Sequence, residues 1–154
     1  MLQNFLEKVP NMSLPPQKFR EIVFLLVYTR DFPLSDEEEL VLMIMQELKV
    51  SRNDVLQAAS IVDKILQKKD IIDEMITHVS TSYSFRRIQT VEKNILRLAV
   101  YELFIDKKLP SEIVMSEAKR LTRKFSTTEA QNFVFAVLDA LFKREQHVSP
   151  VYQK

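Results

Sequence analysis

Three observations predict an all-α fold. Apolar residues recur at intervals of three and four along most of the 154-residue chain, which is the period of an amphipathic helix. Helix-start signals precede these stripes: a proline, or a serine or threonine with an acid or glutamine three residues on. The chain contains no glycine, and the two-residue hairpins of β-rich folds favour glycine.

The elements follow in order. Leu2, Phe5, Leu6 and Val9 predict a short first helix stopped by Pro10. Pro15 and Pro16 open the next, since proline is tolerated in a first turn, with Phe19, Ile22, Val23, Leu26 and Val27 as its buried stripe. Ser35 and Glu38 read as a capping box for a helix continuing through Leu40 to Leu48. Ser51 and Asp54 repeat the signal ahead of Val55, Ala58, Ala59, Val62 and Leu66. A further helix runs from about Asp70 to Val79, and Ser80 to Tyr83 breaks the pattern. One long helix is expected over Phe85 to Phe104, a turn over Asp106 to Leu109, and a helix from Pro110 to Phe125. Thr128 with Gln131 caps the last helix, which is expected to end near Arg144. This divides the chain into an N-terminal extension with a short helix (residues 1–15), a helical body (16–146) and a frayed tail (147–154).

The composition excludes several chemistries. Without cysteine there is no disulfide framework, thiolate zinc site or cysteine nucleophile. Phosphate-cradling loops and dinucleotide fingerprints need glycine for close backbone approach and positive φ, so nucleotide binding by those routes is excluded. No apolar run reaches the roughly 18 residues that span a bilayer, and Met1 to Pro10 lacks the build of a secretory signal. A cytoplasmic protein without membrane contact is expected.

The net charge of +1 conceals an asymmetry: net −5 over residues 34–79 and net +5 over residues 80–154. A polyanion is drawn to the last part; ordinary surface scatter gives the same counts. The acidic run Asp36 to Glu39 sits in a helix's first turn, where anions offset the positive dipole end, and so is not a metal cluster. His78 and His147 have no ligand spacing around them, and no strand–turn–helix context makes a nucleophile elbow. No enzyme, cofactor, metal or small-molecule substrate is expected.

Two helices carry candidate surfaces. Between Pro110 and Phe125, the residues Val114, Met115, Ala118, Leu121 and Phe125 share one side. Lys119, Arg120, Arg123 and Lys124 fall in a single arc on the other, a basic face suited to phosphate contact or simply a solvated face. Between Gln17 and Arg30, the residues Gln17, Arg20, Phe24 and Tyr28 line a face beside the buried stripe. Its aromatics either stack on unpaired bases or are core in a helix buried on both sides.

The last third carries three runs in order: Val91-Glu92 through Ile95-Leu96-Arg97 to Tyr101-Glu102-Leu103; then Pro110, Ser116-Glu117-Ala118 and Lys124-Phe125; then Phe133 to Asp139. In kind and in spacing these resemble three motifs of the NusB family of transcription antitermination factors. Upstream, the match rests mainly on Arg20 to Tyr28. The resemblance implies about seven helices in two packed helical subdomains. It also implies binding of boxA-type RNA from ribosomal RNA operons together with the ribosomal protein NusE, in service of the transcription elongation complex. Carried over position by position, Lys18 and Arg20 stand in the family's basic RNA segment, Tyr28 near the binding surface, Phe125, Glu129 and Phe133 on the RNA side, and Glu92 toward the protein partner. The basic segment is thinner than the family's, so the alternative is a helical adaptor that keeps the NusE-type partner with weakened RNA binding. Phe135-Ala136 replaces the family's asparagine–glycine, and Ser126 replaces a glycine.

Overall fold

The structure, a computed structural model, describes residues 14–33, 36–80 and 85–147. Among these are seven α-helices and no strand: α1 (Pro16–Thr29), α2 (Glu37–Leu48), α3 (Arg52–Gln67), α4 (Lys69–Val79), α5 (Thr90–Val100), α6 (Ser111–Phe125) and α7 (Thr128–His147). They form two compact units that divide between Leu66 and Gln67. The short helix expected over Leu2 to Val9 and the tail beyond His147 lie outside the described residues.

In the first unit, Pro15 precedes α1 and Pro16 fills its first position, where a missing N–H costs nothing. The expected stripe is buried at Ile22, Val23, Leu26 and Val27. Burial extends to Arg20, Glu21 and Phe24, so α1 is covered on more than one face. The start of α2 lies one residue later than the capping box predicted. Asp36 is the cap, and its carboxylate accepts from Glu38 N at 2.9 Å and Glu39 N at 3.4 Å; Ser35 falls outside the described residues. Aspartate caps well, and its charge opposes the dipole of the same helix end. At α3 the expected box is present in both directions: Ser51 N donates to Asp54 Oδ2 at 3.0 Å, and Asp54 N donates to Ser51 Oγ at 3.1 Å. Arg52 Nη1 donates to Glu38 Oε2 at 2.9 Å, and Arg52 Nη2 pairs with Glu38 Oε1. This bidentate pair holds the Glu38 carboxyl below its ordinary value and raises the Arg52 guanidinium.

The second unit is built around α5, which packs against α4, α6 and α7. From Asn94 to Val100 every residue is buried, as expected of a central helix. The polar members of that run are satisfied. Arg97 Nε donates to Asp73 Oδ1 at 2.8 Å, Nη2 to Asp73 Oδ2 at 2.9 Å, and Nη1 to Asn94 Oδ1 at 3.1 Å. Asn94 Nδ2 in turn donates to Thr90 O at 2.8 Å. The Phe85 ring lies 5.6 Å from Arg97 Cζ and 4.6 Å from Lys93 Nζ.

The single long helix expected over Phe85 to Phe104 is instead three pieces. A 3-10 turn covers Phe85–Arg87, α5 follows, and a π-helical stretch covers Tyr101–Asp106. Ile88 is buried beside its exposed neighbours Arg87 and Gln89, and the chain bends there to seat it. The π stretch ends at Lys107, which is left-handed at φ 58°. Lys49 ends α2 in the same way at φ 54°. Glycine normally takes such positions, and this chain has none.

Helices α6 and α7 pack as a hairpin over Val114, Ala118, Leu121, Val134, Val137, Leu138 and Leu141. The cap of α7 is Thr127, whose Oγ1 accepts from Ala130 N at 3.1 Å, and not Thr128. Gln131, expected in that box, instead donates from Nε2 to Lys119 O at 2.9 Å and ties α7 to α6. The helix continues past Arg144 to His147.

Candidate nucleic-acid interface

In the second unit, a groove of about 300 Å³ is lined by Arg87, Ile88, Gln89, Glu92, Thr127, Glu129, Ala130 and Phe133. Its walls are the starts of α5 and α7. Both helices therefore aim their open N–H groups and positive dipole ends near it. Glu92, Glu129 and Phe133 come together here, although the resemblance assigned them to two different ligands.

Glu92 is held firmly. It is 8% exposed, and its Oε1 accepts from Ser126 Oγ at 2.9 Å. Its Oε2 is buried without a hydrogen-bond partner among the described residues. A buried carboxylate oxygen left so costs about 1–3 kcal/mol. Phe133 offers part of its ring, and Glu129 is exposed at the rim. Arg87 supplies a positive charge.

Beside the groove, α6 presents its basic arc unevenly. Lys119, Arg123 and Lys124 are exposed. Arg120 turns back, and its Nε donates to Glu117 Oε2 at 2.8 Å with both side chains largely covered. Lys119 Nζ sits 4.1 Å from the Phe135 ring centroid, and Lys124 Nζ 5.7 Å from that of Phe125. The continuous four-residue basic face read from the sequence is therefore three exposed cations plus one internal ion pair.

The remaining candidates belong to the first unit. Phe24 is 1% exposed, so its ring is core and has no face left for a base; the stacking role given to it on sequence is corrected. Arg20 is 9% exposed and Lys18 half-buried. Tyr28 keeps a partly open ring, with Phe24 at 6.1 Å on one side and Phe32 at 5.0 Å on the other. Phe32 is 45% exposed and extends the aromatic surface of Tyr28.

Sequence reasoning missed Arg87, Gln89 and Thr127 in the groove and Phe32 at the surface; it noted Phe135 only as a departure from the family motif. Arg87 falls inside the continuous helix expected over Phe85 to Phe104, and the bend after it makes it a groove wall.

Among the described residues, no group of three or more histidine, cysteine, aspartate or glutamate side chains is placed to hold a metal ion. No helix among them is long and apolar enough to cross a membrane.

Comparison with known proteins covers both units. The family model described as NusB matches residues 17–143. The transcription antitermination protein NusB of Chlamydia pneumoniae is 38% identical over 128 residues, covering 83% of this chain and 80% of that protein. NusB of Pseudothermotoga lettingae is 32% identical, covering 82% and 89%. Among solved structures, one of antitermination factors NusB and NusE in complex with dsRNA matches with a TM-score of 0.70 and 28% identity, covering 83% of this chain and 96% of that one. A T. maritima NusB structure matches with a TM-score of 0.68 and 26% identity, covering 84% and 91%. The matched span takes in the buried Arg97, the groove residues and the basic arc of α6, and with it the chain belongs to the NusB family.

Proposed function

We propose that this chain is an RNA-binding transcription antitermination factor. It binds boxA-type RNA of ribosomal RNA operons together with NusE, and through that complex serves the transcription elongation machinery in the cytoplasm. Residues 16–146 act as the binding body, without catalysis or cofactor. The observation that carries this reading is the groove between α5 and α7, where an aromatic ring, a cation and an unsatisfied buried carboxylate oxygen meet. The NusB of the neighbouring complex is bound to NusE and dsRNA, which supports the same pair of ligands here.

The residues divide by chemistry. Phe133 stacks on a base, an interaction worth about 1–3 kcal/mol. In the second unit Lys119, Arg123 and Lys124 contact phosphates; in the first unit, taken by itself, Lys18 offers a cation and Tyr28 a ring. Glu92 Oε2 accepts a donor from the protein partner, and Glu129 sets polarity at the groove rim. Arg120 acts indirectly, by neutralising Glu117 beside the basic arc.

The burial of Arg20 favours one other reading, the adaptor that keeps NusE and binds RNA weakly. Fluorescence anisotropy of labelled boxA-like RNA, titrated with the protein with and without NusE, decides between them. Binding that tightens with NusE and weakens as salt rises is the expected result, because phosphate contacts release counterions. No RNA binding in either case, with NusE association intact, overturns it in favour of the adaptor.

A further inference from the structure

The outer face of the α6–α7 hairpin carries a feature that the groove does not use. Phe135 is 37% exposed at a position where the family motif has asparagine. More than a third of this large apolar side chain therefore stays in water. Its ring is placed against a cation, with Lys119 Nζ 4.1 Å from its centroid. The Lys119 backbone is fixed in turn by the amide of Gln131, at 2.9 Å, so ring and cation belong to one braced contact between two helices. Arg123 lies one turn along from Lys119 and is exposed; such a pair has Cβ atoms about 5–6 Å apart. Ser116, Asn132 and Ala136 are also exposed. They are small or uncharged, and add no acid to this stretch of the surface. Glu117, the acid in the middle of α6, is held by Arg120, so it does not offset the two cations.

An exposed aromatic ring flanked by cations along one helix is the make-up of a single-strand stacking platform. Phe133 and Phe135 are two residues apart on α7, about 200° around the helix axis. They therefore serve opposite sides of α7, and a strand using both passes around its first turns.

We propose that Phe135 extends the basic arc into a second contact for single-stranded RNA, outside the groove, where Lys119 and Arg123 of that arc serve nucleotides flanking the segment the groove holds. The ring stacks on one base without regard to its identity, and the two cations take the adjoining phosphates. The proposal rests on the RNA-binding reading above. Its signature is a dependence of affinity on RNA length.

The test compares a short boxA-like RNA with the same RNA extended by about eight unpaired nucleotides, a length within the usual range of single-strand sites. Three full-length proteins are titrated by fluorescence anisotropy: the wild type, Phe135→Leu and Phe135→Tyr. Leucine keeps an apolar side chain beneath Lys119 without a π face; tyrosine keeps the face. The wild type is expected to bind the extended RNA about tenfold tighter than the short one. Phe135→Leu loses the stacking share, most of that gain, and Phe135→Tyr retains it, while all three bind the short RNA equally. Lys119→Ala and Arg123→Ala each lower the slope of log affinity against log salt by about 0.7 on the extended RNA.

A length gain that survives in Phe135→Leu overturns the proposal and leaves the groove reading standing. Equal binding of both RNAs by the wild type does the same. Loss of NusE binding in Phe135→Leu with the length gain intact assigns this face to protein and also overturns it. Absence of binding to either RNA removes the groove reading and this proposal together.

Discussion

Removing the carboxylate of Asp73 takes from the buried Arg97 guanidinium the acid that it grips with two bonds. The Arg97 side chain is 5% exposed and that of Asp73 20%. Two charge-assisted bonds, at 2.8 and 2.9 Å, join them. Breaking a buried pair by deleting one partner costs about 3–5 kcal/mol. Asp73 retains some solvent, so water reaches the vacated site and the lower end, about 3 kcal/mol, is expected for Asp73→Ala. In a domain of this size that corresponds to a fall in Tm of roughly 6–12 °C. Arg97→Met removes the charge and keeps an apolar stem. It strands only the more accessible Asp73, so the cost is about 1–2 kcal/mol. The double variant Asp73→Ala/Arg97→Met has no stranded charge and recovers part of the loss, with a coupling of about 2 kcal/mol. Urea unfolding followed by circular dichroism gives the four stabilities of the cycle. If Asp73→Ala costs less than about 1 kcal/mol, or the two single effects add to within about 0.5 kcal/mol, the pair does not anchor α5 to α4 and the reasoning is refuted.

Other outcomes follow from the same geometry. Lys49→Gly and Lys107→Gly each relieve a left-handed lysine, and each should raise stability by up to about 1 kcal/mol in urea titration; a loss at either site refutes the strain argument. Thr127→Ala removes the α7 cap and should cost about 1 kcal/mol, whereas Thr128→Ala should cost much less, and equal costs refute that assignment. The pH dependence of the Glu38–Arg52 pair has a definite sign. Glu38 is depressed below 4.5 by Arg52, so the pair's contribution is present above that value and is lost as pH falls through the lowered one. Carboxyl NMR titration of Arg52→Ala should show Glu38 returning upward, and an unchanged Glu38 removes Arg52 as the cause. Glu92→Gln should weaken NusE binding while leaving salt-dependent RNA binding in place; a reduced salt slope would instead move Glu92 to the RNA.

The proline starts, the Ser51–Asp54 box and the apolar stripes were legible in the sequence because each depends on residues within one turn of one another. The family motifs were legible for a related reason: Ile95-Leu96-Arg97 and Phe133 to Asp139 record burial and packing at fixed intervals along single helices. The break at Ile88 was not legible. An apolar residue at helical spacing fits a continuous helix as well as a bent one, and packing around Ile88 makes the choice. Phe24 and Tyr28 are four residues apart on one face and read alike in sequence, yet one is core and the other surface.

The sequence by itself determined that this chain is helical, that it lacks the glycine and cysteine of nucleotide and thiolate sites, and that cations gather on α6. Tertiary structure alone decided which of those cations remain outward. Arg120 is drawn to Glu117 and Lys119 is set on Phe135, because charge pairing and ring contact depend on distances across turns and between helices. It likewise decided that Glu92, Glu129, Phe133 and Arg87 share one groove. A groove is formed by the starts of two helices far apart in the chain, and no local period encodes that meeting.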